Sequence, residues 1–314
     1  MNFETSTELI QHYQPQLATM WDHLLSQTNN RLADCVTMRP LSGKVTFVDQ
    51  IQETDFIEKT GRMEKTELTE MDFAKRAIYA REFTRAIGFD EFDDIKLHNQ
   101  RLPIAETMQK LKEAYMRTSE KMILDAVSGT AYGGEKGVEA IELPDSQTIA
   151  LNYSRNGGTS APNTGLTFDK FARLRRLAME SEAFGQGIMN GSDMLCLAVP
   201  ASGIEDLLHD VFANNREFVT AIEKVRQGEA DEFLGVKIIR TEQIEEREVG
   251  NDIISDCYAW AKSRVCFGMR SNYSAKMSIR DDVSEAIQIR AKFANGGTRL
   301  EEKAAWKLPI LKSA

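Results

Sequence analysis

Hydrophobic positions along the chain change spacing several times, and each spacing predicts a different element. In residues 1–40, Leu9, Ile10, Tyr13, Leu17, Met20, Trp21, Leu24 and Leu25 sit among polar neighbours at helical spacing, interrupted at Pro15. The stripe fits a terminal arm packed on something else and the first helix of an ordinary core equally well. Residues 43–71 then alternate β-branched and aromatic residues loosely with charges in the run KVTFVDQIQETDFIEKTGRMEKTELTEM. This predicts two strands turning at Lys59-Thr60-Gly61-Arg62. Two strands alone are marginal in water, so such a charged hairpin either projects onto a partner surface or lies solvated on its own.

The clearest periodicity predicts a helix over 103–128. Ile104, Met108, Leu111, Tyr115, Met122 and Ala126 share one face, Pro103 suits the first turn and Gly129 stops it. At 1.5 Å per residue it is a rod of about 39 Å, which reads as a spine. Residues 131–165 are rich in Gly, Asn, Ser and Pro (AYGGEKG, SRNGGTSAPNTG) and read as loops. From Thr167 helices and strands alternate. Phe168, Phe171, Leu174, Ala178 and Phe184 predict a helix, and MLCLAV (194–199) a buried strand. Ser202 and Glu205 form a capping-box pair ahead of Ile204, Leu207, Leu208 and Val211. Phe218, Ile222 and Val225 predict another helix, and Phe233 to Ile239 another strand. This middle part reads as a small α/β or α+β domain.

The last part is β. Tyr258–Trp260 and Val265–Phe267 flank AKSR, which predicts a hairpin turn. Ile287, Ile289, Ala291 and Phe293 alternate with Gln288, Arg290 and Lys292 at a period of two. Asn295-Gly296-Gly297 predicts a turn into a second long strand through Ala304, Trp306, Leu308 and Ile310.

Composition narrows the function classes. The chain has 314 residues, 42% hydrophobic and 28% charged, so disorder is not its dominant state. A net charge of -9 argues against a dedicated duplex-DNA reader, while leaving room for a protein that encloses nucleic acid without gripping it. Cys35, Cys196, Cys257 and Cys266 form no CxxC pair and no zinc spacing, which fits a reducing compartment. The start MNFETSTELIQ is acidic and polar, unlike a secretory leader. No run approaches 18 apolar residues, so no membrane partner is expected.

Motifs for chemistry are sparse. His12, His23, His98 and His209 lack metal-ligand spacing. There is no P-loop and no GxSxG elbow. Gly185-Gln-Gly187-Ile-Met-Asn-Gly191 has the third glycine one position late for a dinucleotide loop and follows a helix instead of a strand. Thr118 puts a hydroxyl three residues before Lys121 on the spine helix, where an exposed polar flank explains both. Asp93-Asp94 and Asp281-Asp282 are adjacent pairs whose members point apart on a strand. Asn152-Tyr-Ser154 and Asn272-Tyr-Ser274 match a glycosylation pattern without a secretory context. No catalytic residue, cofactor or metal site is expected.

The order of parts (arm, charged hairpin, spine helix, α/β insertion, closing strands) resembles the tailed-phage major capsid proteins of the Hong Kong 97-type fold. The resembling stretches are GTAYGGEKG (129–137), GLTFDKFARLRRLAMES (165–181), LCLAVPASGIEDLL (195–208), GEADEFLGVKIIRTEQI (228–244), YAWAKSRVCFGM (258–269) and GGTRLEEKAAWKLPI (296–310). The resemblance implies an α+β fold with an N-arm (1–40) and an extended E-loop hairpin (41–75) lying across the neighbouring subunit. It implies a peripheral domain (76–140 and 272–314) with the spine helix on long strands, and an axial α/β domain (141–271) whose loops meet at symmetry axes. The implied function is a major capsid protein, assembled in the host cytoplasm as hexamers and pentamers into an icosahedral virion shell around double-stranded DNA. Implied partners are other copies of the chain, a separate scaffolding protein, a portal and a decoration protein. Lys44, Glu58, Lys59, Arg62, Glu64 and Lys65 are the expected inter-subunit contacts of the hairpin. The lysine–asparagine cross-link of some relatives is not expected, because no matching Asn and catalytic Glu stand out. Two other readings remain: an encapsulin-like compartment shell of the same fold, and an α/β nucleotide-binding enzyme using the glycine loop at 184–191.

Overall fold

A computed structural model describes residues 30–51, 54, 56, 58, 61, 68, 70–71, 73–90, 104–155, 162–181, 184, 193–214, 232–250, 252–282 and 285–312. The helical stripe at 9–25, the helix at 218–225, the pair Asp93-Asp94, the glycine loop 185–191 and three of the four histidines lie outside the described residues. In chain order come β1 (Thr37–Pro40), β2 (Val45–Ile51), β3 (Phe73–Tyr79), β4 (Arg81–Phe89) and the long helix α1 (Ile104–Ser128). β5 (Ala131–Gly133), β6 (Glu139–Ile141), α2 (Phe168–Glu180), β7 (Leu195–Val199) and α3 (Ala201–Asn214) follow. The chain ends with β8 (Glu232–Phe233), β9 (Val236–Arg240), β10 (Glu246–Val249), β11 (Asp252–Ala261), β12 (Val265–Arg280), β13 (Ala286–Arg299) and β14 (Ala305–Leu311).

These strands make three sheets: β1-β12-β13-β4, β2-β3-β5-β6, and β10-β11-β7-β9-β8 with β14 added on β11. The mixture is α+β. β7 and β9 run parallel across α3, as a strand–helix–strand crossover requires. The five residues of β7 are all buried, which explains their unbroken apolar run. The main core gathers Leu195–Val199 with Trp260, Trp306, Phe171 and Leu174. Trp260 satisfies its indole by donating to the Cys35 carbonyl at 2.8 Å.

The helix α1 serves two cores. Its first half puts Met108 and Leu111 against Ile289 and Ala291 of β13. Its second half sends Met122, Ile123 and Val127 into the main core. Gly129 ends it as expected, its N–H donating to the Asp125 carbonyl at 2.8 Å.

Several sequence expectations are corrected. Gly296 and Gly297 do not turn; β13 runs through them to Arg299. They are glycines because of close approach: a Cβ on Gly296 would stand 2.2 Å from the Tyr79 carbonyl oxygen, and one on Gly297 2.8 Å from Ala126 Cβ. β14 therefore pairs with β11 and not with β13. The AKSR segment is no hairpin either. A short 3-10 turn at Lys262–Arg264 hands the chain from β11 in one sheet to β12 in another. Residues 233–239 are a tight hairpin, not one strand, turning at Leu234 and Gly235, both with positive φ. The loops of 131–165 contain the β5–β6 pair, which extends the hairpin sheet. α3 starts at Ala201, whose N–H donates to Glu242 Oε1 at 3.0 Å, so a carboxylate from after β9 caps it in place of the Ser202–Glu205 box. Thr118 is half-buried, its hydroxyl donating back to the Ala114 carbonyl at 2.8 Å, and Lys121 is exposed.

Candidate assembly surface

The stem of the β2–β3 hairpin is clamped to the body. β2 and β3 pair from Val45↔Tyr79 to Ile51↔Phe73, and β5 extends the sheet beside Arg76 and Ala77. Val48 and Ile78 bury against Leu41, Cys266 and Leu300. Gln50 Nε2 and Arg76 Nε both donate to the Leu300 carbonyl, at 2.9 and 3.0 Å. Arg76 also pairs with Glu302 at 2.7 Å, and the Tyr79 hydroxyl donates to the Gly137 carbonyl at 2.8 Å. A stem held by charged hydrogen bonds to β13 and its exit loop is a rigid mount.

At the far end of the stem, and beyond it, the burial reverses. Phe56 is 103% and Leu68 99% exposed, and Ile51, Met71 and Phe73 are exposed as well. Five large apolar side chains on one projecting element exceed the scattered exposure normal for a monomer. A second chain that buries them would gain roughly 25 cal/mol per Å² of apolar surface removed from water.

Of the six charged residues expected to make contacts, two are placed. Lys44 is exposed at the root, where its carbonyl accepts from the Ala80 N–H at 3.0 Å. Glu58 is exposed on the projecting part. Lys59, Arg62, Glu64 and Lys65 lie outside the described residues. Sequence reasoning picked the charges and missed the apolar residues Phe56 and Leu68.

Among the described residues no cluster of His, Cys, Asp or Glu could hold a metal, and no helix is long and apolar enough to cross a membrane. His209 is exposed on α3, one turn from Glu205. Asp282 is held by the Arg280 guanidinium. All four cysteines are free and buried.

Lys170 is fully buried on α2, and its ammonium donates to the carbonyls of Thr164, Gly165 and Pro309 at 2.7, 3.0 and 3.3 Å. It ties the approach to α2 onto β14. Burial pushes its pKa from 10.5 down to about 8. Between those values the unfolded chain binds the proton that the folded chain has released, so this group's stability contribution rises with pH. The cost of burying the charge is fully present below pH 8 and relieved towards pH 10.5. Relative to Lys170→Met, wild-type protein should gain about 2 kcal/mol in urea-unfolding free energy between pH 7 and 9.5. An unchanged difference would contradict this assignment.

The sequence model of the family described as phage capsid protein matches residues 9–309. A search of curated proteins finds no match. The fold is similar to the capsid of the cyanophage P-SCSP1u at 14% identity, covering 90% of this chain and 88% of that one, with a TM-score of 0.63. It is similar to the capsid of Ralstonia phage GP4 at 7% identity, covering 89% and 88%, with a TM-score of 0.67. An encapsulin complex from Synechococcus elongatus matches at 11% identity, 91% and 89% coverage, and a TM-score of 0.56. The fold is thus shared by phage capsids and an encapsulin complex, and the family match favours the former. With a match spanning nearly the whole sequence, the chain belongs to the phage capsid protein family.

Proposed function

We propose that the chain is the major capsid protein of a tailed phage, assembling in the host cytoplasm as hexamers and pentamers into an icosahedral shell around double-stranded DNA. The observation that carries this reading is the clamped hairpin with a bare apolar outer part. A single chain gains nothing from such an element; a closed lattice does. Heterologous contacts repeated around axes close into a shell, and many weak contacts per subunit sum to a strong but correctable lattice. In this reading residues 1–40 form the arm and 41–75 the hairpin, which lies across the neighbouring copy. Residues 76–140 and 272–314 form the peripheral domain, supported by the seating of α1 on β13. Residues 141–271 form the axial domain, supported by the β7–α3–β9 unit, although β14 crosses the boundary to join β11. Lys44, Glu58, Lys59, Arg62, Glu64 and Lys65 contact the neighbouring copy. The role is structural and not enzymatic. A scaffolding protein, a portal and a decoration protein complete the particle, and the acidic chain confines DNA without reading its sequence.

Negative-stain microscopy of the purified chain, alone and with a scaffolding protein, is the test. Closed hollow particles of uniform size are expected. A small discrete oligomer that binds nucleotide would overturn the proposal in favour of an enzyme.

A further inference from the structure

All three sheets and the C-terminal end of α1 meet around a cavity of about 410 Å³. β3 and β5 bring Tyr79 and Tyr132 to its wall, and β11 brings Tyr258. α1 adds Asp125, and the segment ahead of β10 adds Glu245. Nothing in the shell-subunit reading uses these groups.

The wall is aromatic. The rings of Tyr79 and Tyr132 stand 5.4 Å apart at 79°, forming a right-angled corner. The Tyr79 hydroxyl is spent on the Gly137 carbonyl, which fixes that ring, while Tyr132 is exposed. Tyr258 is buried, and Ser128 hydrogen-bonds its hydroxyl. Burial first, then the Asp256 and Glu245 carboxylates, push this phenol up to about 12, so Tyr258 offers a dipole and no charge.

The rim is acidic. Glu245 is exposed, and its backbone is fixed by the Asp256 N–H, which donates to its carbonyl at 3.1 Å. Among the described residues no cation pairs with its carboxylate; Arg247 and Lys307 are both taken by Asp256, at 3.3 and 2.7 Å. Asp125 has Arg81 at 3.7 Å, a long contact to an exposed side chain. Two carboxylates against one guanidinium leave the lining one charge negative. The end of the α1 dipole has the same sign, and Arg299 offsets it from the carbonyls of Val127 and Gly129. A metal ion needs several converging oxygen ligands, and Asp125 and Glu245 form no such cluster. An organic cation suits the site better. Ring faces attract it through their quadrupoles, and a carboxylate without a partner accepts its N–H groups.

We propose that this junction binds a primary alkylammonium group, supplied by a small aliphatic amine or by a lysine side chain of a second copy. The inference does not depend on shell formation. An occupant ties the hairpin stem to β11 and α1, so binding stabilises the folded subunit.

The test titrates the purified full-length chain with 1,5-diaminopentane, using 1,5-pentanediol as the uncharged match, by calorimetry and thermal melting. Wild-type chain should bind one diamine per chain, melt at higher temperature as the diamine is added, and ignore the diol. Glu245→Gln and Tyr132→Leu should each weaken binding about fivefold or more, with circular dichroism showing both folded. Tyr132→Phe keeps the ring and should stay within about twofold of wild type, as should Glu248→Gln, which removes an exposed carboxylate of β10 that does not line the cavity. No saturable binding by wild type, or binding unchanged in Glu245→Gln and Tyr132→Leu, overturns the site. A loss in Glu248→Gln equal to that in Glu245→Gln also overturns it, as general attraction of an acidic chain for cations. Sedimentation with and without the diamine separates the two sources. A diamine that binds and releases subunits from an oligomer has displaced a lysine of a second copy; one that binds and leaves the oligomer unchanged assigns the site to free amines.

Discussion

Deleting residues 55–66 should leave a folded subunit that forms no closed shells. The stem survives the deletion, because its anchors lie outside it: the Val45–Ile51 and Phe73–Tyr79 ladder, the two hydrogen bonds to the Leu300 carbonyl and the Arg76–Glu302 pair. The removed stretch includes Phe56 and Glu58, both exposed. Assembly responds differently, since every subunit in a closed lattice repeats the same lost contact. A deficit of about 1.4 kcal/mol per contact is tenfold in its equilibrium constant, and it compounds across the lattice. The measurements are a thermal melt that matches wild type and sedimentation and microscopy that show no particles. Particles of normal diameter from the deleted chain would refute the role given to the hairpin.

The second large effect concerns Arg299, which with Lys170 is one of two fully buried charges among the described residues. Its side chain is fully buried, and NH1 donates to the carbonyls of Val127 (3.1 Å) and Gly129 while NH2 donates to that of Ile141 (2.7 Å). Its Nε lies 3.8 Å from Glu302, which also holds Arg76. One guanidinium thus joins the C-terminal carbonyls of α1, the end of β6 and the exit of β13. Positive charge at a helix C-terminus is favourable in its own right. Arg299→Leu keeps bulk but leaves the carbonyls of Val127, Gly129 and Ile141 and the Glu302 carboxylate short of partners, the first of them buried. The expected loss is about 3–5 kcal/mol in urea unfolding of the dissociated subunit. Arg299→Lys should recover only part of it, because an ammonium lacks the planar fork that reaches acceptors on both sides. A loss below about 1 kcal/mol for the leucine variant would remove Arg299 from this role.

Local patterns told the truth where one element decides its own shape. The α1 stripe from Ile104 to Ala126 and the alternation of Ile287 to Phe293 were readable because burial on one face imprints a period. The strand β2 fell inside the stretch 43–71 read as a hairpin, but its partner β3 begins at Phe73, beyond that stretch; the inference that the hairpin seeks a partner came from its low apolar content. What failed was information held by distant residues. Gly296 and Gly297 look like a turn until the Tyr79 carbonyl and Ala126 are placed against them. The AKSR segment looks like a hairpin because nothing in it says that the flanking strands enter different sheets. Glu242 displaces the Ser202–Glu205 box at the start of α3 from 41 residues away. At the candidate site the charges of the hairpin were visible, but not that Phe56 and Leu68 stand uncovered, because exposure belongs to the fold and not to a residue type. The family itself was legible through six ordered stretches between 129 and 310, not through a single motif.

The β12–β13 ladder, running from Val265↔Arg299 to Arg280↔Ala286, bears on how a subunit carries mechanical load. Its hydrogen bonds lie across the strands. Tension along the strands loads the whole ladder in shear, so many bonds must yield together; tension across them opens it like a zipper, one bond at a time. A container under outward pressure built from such parts is strong in the direction its strands point and weak across it, and a crack would run along the ladder.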